Sequence, residues 1–394
     1  MSSRVVIVGS GPAALMAADV ISSNPTVAVT LIEKRKSPGR KILIAGSSGL
    51  NIGNHLPLIE FTKAYSGSLS PDFWSQLLKE FGTEQWIQFV EKELGRETFL
   101  GTSGRYFTRE MKGSKLLRAW LDRLHSRGVQ LLRGEECVDF SNDSVTLTSG
   151  QVLVADKIVF ALGGASYEPF ETPLRWTQMF TRKEIAFEPF SPSNTGYHVD
   201  PRVWTRALLQ EAEGKPLKNI LLTTKRGSKR GELVMTEYGI EGTPVYTYGC
   251  PGVARLDLKP TESFGELLKK CEEVKENLSP IRRIKKQLRL SEGSFALLFH
   301  LTSRETKRDL RALITALKSL PLPLTEARPL TESISSAGGI SGKELHERSL
   351  NLTRFPNVYC AGEMLDWDAP TGGFLIQGCV SMGWRVGHRV LNEL

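Results

Sequence analysis

The sequence predicts an α/β protein: a Rossmann-type nucleotide-binding domain built from both ends of the chain, with an inserted domain of mixed β and helical character between them. Three observations carry this. "RVVIVGSGPAALMAADV" reads as a strand at 4–8 running into Gly9-Ser10-Gly11, then a helix at 12–23 and a second strand at 27–32, the βαβ order. The middle of the chain changes texture, alternating like β-structure over 194–258 and showing helical spacing over 262–320. From "ESISSAGGISG" onward, short strands and glycine turns return and the chain closes on a helix, "GCVSMGWRVGHRVLNEL". The expected boundaries are 1–190 with 335–394 for the nucleotide domain and 191–334 for the insert, mainly β over 191–260 and mainly helical over 261–334.

Between the βαβ opening and the insert, apolar residues at three-to-four spacing predict helices over 71–94 and 113–127. Residues 129–164 read as several short strands, with turns at Asn142-Asp143 and Ser149-Gly150. Prolines and a polar cluster in "FEPFSPSNTG" mark the first boundary. There is no internal repeat.

At 394 residues the chain has length for roughly two or three domains. No apolar run reaches membrane-spanning length, and the opening strand does not read as a secretory signal. Five cysteines without a CxxC pair predict reduced thiols in a cytoplasm, and no membrane partner is expected. Six scattered histidines lack ligand spacing, so no metal is expected. The net charge is +8, and 191–334 carries +7 of it, with 24 basic against 17 acidic residues. Residues 281–311 alone hold 9 basic and 3 acidic. That stretch reads either as a solvated helical face or as a surface for an anionic partner.

The first loop is built for a phosphate. Gly9 permits the tight turn, Ser10 follows, and Gly11 lets the backbone approach a pyrophosphate. Pro12 removes an N–H that lacks a helical partner, and Ala13 and Ala14 allow close helix–strand packing at the positive end of the helix dipole. Glu33 ends the second strand, where a carboxylate accepts from ribose hydroxyls and repels a 2′-phosphate. The loop therefore suits FAD or NAD better than NADP. Directly after it comes "KRKSPGRKILIAGSSGLNIGN". Lys34, Arg40 and Lys41 offer fixed positive charge beside Gly39. Gly46, Gly49 and Gly53 keep the backbone thin, Asn51 and Asn54 offer amide hydrogen bonds, and Ala45, Ser47 and Leu50 are further candidates for cofactor contact. Such a segment runs beside an extended dinucleotide.

"GRKILIAGSSGLNIGN" resembles the signature of the BaiN/RdsA-like (YhiN-type) NAD(P)/FAD-dependent oxidoreductases, a family of bacterial flavoproteins. "SGRYFTREMKGSKLLRAWLDRL" at 103–124, "ALGGAS" at 161–166 and "CAGEMLDWDAPTGGFLIQG" at 360–378 resemble further blocks in the same order. The resemblance covers essentially the whole chain. It implies a glutathione-reductase-like FAD domain holding FAD without a covalent link, with NAD(P)H as a transient donor. It adds Val138, Ala161, Leu162 and Gly163 to the cofactor contacts, and, at the chain end, Gly362, Glu363, Gly372, Gly373, Phe374 and Ile376. In the wider FAD-dependent fold, such a terminal strand–loop–helix faces the flavin. Two departures stand out. Gly49-Leu50-Asn51 replaces the Arg-Cys-Asn of many relatives, and Met235-Thr236-Glu237 replaces a Phe-Thr-His stretch. Both place the chain in a poorly characterised subgroup and weaken transfer of any substrate.

Tyr106 and Asp366 are the catalytic candidates: a tyrosine donates a proton to a carbon reduced by hydride, and an acid holds flavin or substrate groups. Arg105, Glu237, Tyr238 and Asp368 are candidates for substrate contact. Each has a plainer reading as a packing aromatic, a turn former or an exposed charge. The resemblance implies an FAD-dependent oxidoreductase reducing an activated C=C bond, its substrate a small enone or a uracil base in RNA. A non-catalytic flavoprotein, either an electron carrier or a redox sensor, is the alternative, and the oligomeric state stays open.

Overall fold

The computed structural model describes residues 3–46, 49–168, 174–273 and 278–394. They form two compact units, Met1–Ser191 with Ser335–Leu394, and Pro192–Ile334.

The first unit is built on a five-stranded sheet. Strand β1 (Ser3–Val8) leads to helix α1 (Pro12–Ile21), β2 (Val27–Glu33) and the short α2 (Arg40–Ala45). A pair of antiparallel strands follows, β3 (Asn51–Asn54) and β4 (Arg105–Thr108), then α3 (Gly113–Ser126), β5 (Gln130–Arg133) and β6 (Lys157–Phe160). After the second unit the chain returns with β7 (Val358–Cys360) and ends in α4 (Phe374–Asn392). The sheet order is β7–β6–β1–β2–β5, parallel throughout. Val5, Val6, Ile7 and Val8 are all buried, as strands covered on both faces require. This is the α/β Rossmann-type architecture that the sequence predicts.

The stretch 71–94, expected as one helix, is broken into Pro71–Glu80, Thr83–Gln88 and a π-turn at Phe89–Glu93. The break has a tertiary cause. The freed carbonyl of Phe81 accepts from Ser381 Oγ at 2.6 Å and Gln377 Nε2 at 3.2 Å, both on α4. Gln85 Oε1 in turn accepts from the Gly82 N–H at 3.0 Å and starts the next helix. Helix α4 itself begins four residues before the reading of 378, because Gly373 caps it in a left-handed conformation, φ 94°.

Helices α1 and α4 meet backbone to backbone. A Cβ on Gly383 would land on the carbonyl oxygen of Ala13, and one on Gly387 would lie 2.6 Å from Val20 Cβ. Few side chains intervene, so nearly the whole of α1 is buried.

In the second unit the segments Tyr197–Val199, Gly239–Glu241, Gly227–Met235, Pro216–Thr224, Gly252–Asp257 and Leu320–Ala327 close into a barrel in that order. Leu217, Ile220, Leu222, Leu233 and Leu256 fill it, and Leu267, Ile284, Leu297 and Leu313 bring helices onto the same core. The closing strand, "LPLPLTEA", falls in the stretch expected to be mainly helical. Its prolines at 321 and 323 obscure an alternation in which Leu320, Leu322 and Leu324 are buried.

Gly383→Val tests the α1–α4 contact. Leaving a helical glycine gains about 0.5–1 kcal/mol of backbone preference. Overpacking a backbone contact costs about 1–3 kcal/mol. The clash wins, and urea denaturation is expected to show a lower midpoint with an unchanged slope.

Candidate dinucleotide site

The loop between β1 and α1 has the geometry its sequence promises. Gly9 adopts φ 114°, and a Cβ there would land on the Ala161 carbonyl oxygen. Only glycine fits. Its N–H donates to Ile32 O at 2.8 Å. A Cβ on Gly11 would meet nothing within 4 Å, so the space before α1 is open. No side chain caps α1, and its first intrahelical bond is Leu15 N–H to Gly11 O at 2.9 Å. The free end of α1 is therefore available to an anion.

Ser10 ties three segments together. Its hydroxyl donates to Glu33 Oε2 and accepts from the Gly39 N–H at 3.0 Å. Glu33 Oε1 accepts from the Arg35 N–H at 2.7 Å. The carboxylate is thus fixed at the end of β2 with lone pairs left over for ribose hydroxyls.

The cations of the second segment already have acceptors. Lys34 and Arg35 each reach Glu168 Oε2 at 3.0 Å. Burial pushes the Glu168 carboxyl up, but the two cations outweigh it and hold it below its ordinary value. Arg40 donates to Tyr167 O at 2.6 Å. Lys41 donates to Glu363 Oε2 at 2.9 Å and Gly164 O at 3.2 Å, near Gly163. Ala45 ends α2, and Gly46 packs against Gly113. Ser47 lies outside the described residues. Gly49 has φ 125° and Leu50 is buried. Among the described residues Asn51 Oδ1 is buried without a partner.

The returning segment closes the site. Ala161 N–H donates to Val8 O, and Ala361 N–H to Phe160 O. Leu162 N–H meets Met364 Sδ at 3.5 Å, and a Cβ on Gly362 would lie 3.1 Å from Ala13 Cβ. Gly372 and Gly373 both have positive φ, and Gly373 is pressed on the Gly53 backbone. Asn54 Nδ2 donates to Gly372 O at 3.1 Å. Phe374 packs on Phe61 at 4.6 Å and accepts at its carbonyl from Tyr65 at 2.8 Å. Ile376 is half-buried one turn into α4, which has no side-chain cap either. One unit therefore presents two uncapped helix ends, a ribose-type carboxylate and an orphaned amide oxygen, and these fit a dinucleotide. Val138 lies on strand Cys137–Phe140, where its carbonyl accepts from Arg182.

The family model for the HI0933-like protein Rossmann domain matches residues 3–389. The chain belongs to that family. It is a family of FAD-dependent oxidoreductases, as the four ordered motifs led us to expect. A 3-dehydro-bile acid delta(4,6)-reductase of Clostridium scindens is 23% identical over 417 residues, covering 98% of both chains. A ribosomal RNA dihydrouridine synthase of Escherichia coli is 24% identical, covering 98% of this chain and 97% of its own. Among solved structures, the 3-ketosteroid-delta4-(5alpha)-dehydrogenase of Rhodococcus jostii shares the fold with TM-score 0.53 and 12% identity, over 98% of this chain and 97% of its own.

In this HI0933-like protein the candidate catalytic and substrate residues fall in different places. Arg105 and Asn54 are register partners on β4 and β3, so their side chains share a face, and both approach Gly372. Burial lowers the pKa of the Arg105 guanidinium. The pleat sends Tyr106 to the opposite face, where its hydroxyl meets His55 Nδ1 at 3.3 Å. Asp366 serves the backbone, with its N–H on Ile340 O and its carbonyl accepting from Ser68. Asp368 Oδ1 accepts from the Ala369 N–H at 2.9 Å. Glu237 and Tyr238 belong to the second unit. Glu237 is exposed on a turn. Tyr238 donates to Glu241 beneath the Arg328 guanidinium, 4.2 Å from the ring, and burial followed by Glu241 pushes its phenol up.

Sequence reasoning missed Glu168, His55 and Tyr65. Each acts on a partner from 51 to 309 residues away, and no local pattern marks such a pairing. Among the described residues no helix is long and apolar enough to cross a membrane, and no group of three His, Cys, Asp or Glu stands close enough to hold a metal.

Glu33→Arg removes the carboxylate and inserts a cation beside Ser10. The expected loss of FAD affinity is on the order of 2–4 kcal/mol, that of two charge-assisted hydrogen bonds. Retention of FAD through dialysis, read from the visible spectrum, checks it.

Proposed function

We propose that this protein binds FAD non-covalently and reduces a C=C bond conjugated to a carbonyl, with NAD(P)H as the transient electron donor. The observation that carries the reading is the pair of uncapped helix ends, α1 and α4, presented by one unit with Asn51 Oδ1 left unsatisfied. When bound, FAD supplies the hydride chemistry between donor and acceptor. The N–H groups at the start of α1 would hold the pyrophosphate, and Glu33 the adenosine ribose. The start of α4 would favour negative charge on the pyrimidine edge of the ring, and Asn51 would accept a hydrogen bond from the cofactor. Non-covalent binding agrees with the thiols: all five cysteines are buried and free, and burial pushes Cys137 up to about 12 and Cys271 to about 11. Two whole-length relatives are named for a delta(4,6)-reductase and a dihydrouridine synthase activity. Both names describe saturation of a double bond conjugated to a carbonyl.

Purified protein is expected to show a flavin spectrum, to release free FAD on denaturation, and to bleach under anaerobic NADH or NADPH. Adding a cyclic enone should restore the colour. A colourless protein that ignores added FAD would sink the reading. A protein that bleaches but is reoxidised by no enone or uridine substrate would leave the electron-carrier alternative.

An RNA substrate is favoured by one observation in the second unit. Phe295 and Phe299 stack at 6.2 Å on helix Glu292–Leu301. Lys285 Nζ lies 4.9 Å over the first ring and Lys307 Nζ 4.0 Å over the second. Lysines from two basic runs separated in sequence thus meet on one aromatic pair, and Arg282, Arg289, Arg304 and Arg308 of the same runs are exposed. Cations interleaved with aromatic rings suit a single-stranded polyanion. Log affinity for RNA should fall linearly with log salt. Replacing Arg282, Lys285 and Arg289 by Ala should flatten the slope by roughly 2, at about 0.7 per phosphate contact. No binding at low salt would leave the small enone as substrate.

A further inference from the structure

Arg105 is the exception among the arginines of the first unit. Its guanidinium is half-buried, and among the described residues it has no hydrogen-bond or ion-pair partner. Every other arginine there that is not exposed has an acceptor. Arg35 has Glu168, Arg40 the Tyr167 carbonyl and Arg96 Glu110. Arg123 and Arg127 share Asp19, and Arg385 has Glu80. Partial burial of a guanidinium without a protein acceptor is unfavourable, and an oxyanion or a polarised carbonyl arriving there recovers the loss. The position is defined. Nε lies 3.5 Å from where a Cβ of Gly372 would be, beside Asn54, whose amide is committed to the Gly372 carbonyl. The glycine leaves the guanidinium face uncovered. Five N–H donors in a planar fork remain for a ligand.

We propose that Arg105 is the oxyanion anchor for the substrate carbonyl, an inference that rests on the C=C reductase reading above. In that reaction a hydride, which bound reduced FAD would supply by giving up its N–H bond, brings its electron pair to the β-carbon and forms a C–H bond. The C=C π pair moves to join the α-carbon to the carbonyl carbon, and the C=O π pair moves onto oxygen. Arg105 holds that enolate oxygen. A proton from solvent then adds to the α-carbon and the carbonyl re-forms; NAD(P)H, leaving as NAD(P)+, would return the hydride. Arg105 keeps its own proton throughout and contributes fixed positive charge where negative charge develops.

The test uses the FAD-loaded protein and phenolates, which mimic an enolate without turnover. With para-nitrophenol and para-hydroxybenzaldehyde, wild type is expected to show a long-wavelength charge-transfer band and to bind the phenolate in preference to the phenol. Arg105→Met should weaken that binding roughly 30- to 100-fold, the scale of a lost charge-assisted bond, while retaining FAD. Arg105→Lys should recover part of it. Unchanged phenolate affinity in Arg105→Met overturns the anchor and leaves the reductase reading standing. So does a wild type that reduces enones yet takes no phenolate. Loss of FAD from both variants assigns the guanidinium to the cofactor and overturns the proposal too. A wild type that neither binds phenolates nor reduces enones overturns both.

Discussion

The approach of α1 to α4 is the contact on which the first unit depends. The two helices come from opposite ends of the chain, and each has an uncapped N-terminus. They can belong to one site only because Gly383 and Gly387 let α4 lie directly on the α1 backbone. The same helix reaches out through Gln377 and Ser381 to the Phe81 carbonyl, and so fixes the break between the helices before β4. Cofactor loop, terminal helix and the β3–β4 pair are thereby held in one frame.

The electrostatics within that frame are selective. The sequence offers a run of cations after β2, and a first expectation gives them to phosphates. In the structure Glu168 pairs with both Lys34 and Arg35, Glu363 pairs with Lys41, and Arg40 lies on the Tyr167 carbonyl. Peptide dipoles at the helix ends add positive potential for an anion without any mobile side chain to order. Arg105 is not neutralised in this way, and it stands apart from the Gly9–Gly11 loop, beside the start of α4. Among the described residues the chain pairs its other half-buried arginines and leaves this one open.

The second unit obeys different rules. Its barrel core is apolar and closed, filled by Leu217, Leu222, Leu233 and their neighbours. The positive charge that distinguishes the unit is carried outside that core by surface helices and is partly organised over Phe295 and Phe299. Packing therefore fixes the fold of the unit, while its surface charge is free to serve a partner.

Local chemistry made the nucleotide fold legible in the sequence. A glycine turn between an apolar strand and an uncapped helix, with an acid ending the next strand, is a short-range pattern, and Gly9, Gly11 and Glu33 stand where it puts them. Whole-chain motif order was enough to reach the family. What the sequence did not disclose were relations between distant segments. The Ser10 bridge from Glu33 to Gly39, the capture of Lys34 by Glu168 and the break at Phe81 depend on groups brought together only by folding. Arg105 and Tyr106 show the limit most clearly. They are neighbours in the chain and both were candidates for chemistry, but a strand's pleat sends consecutive side chains to opposite faces. The pairing of Asn54 with Arg105 decides which face looks at Gly372, and that register is a property of the folded sheet alone.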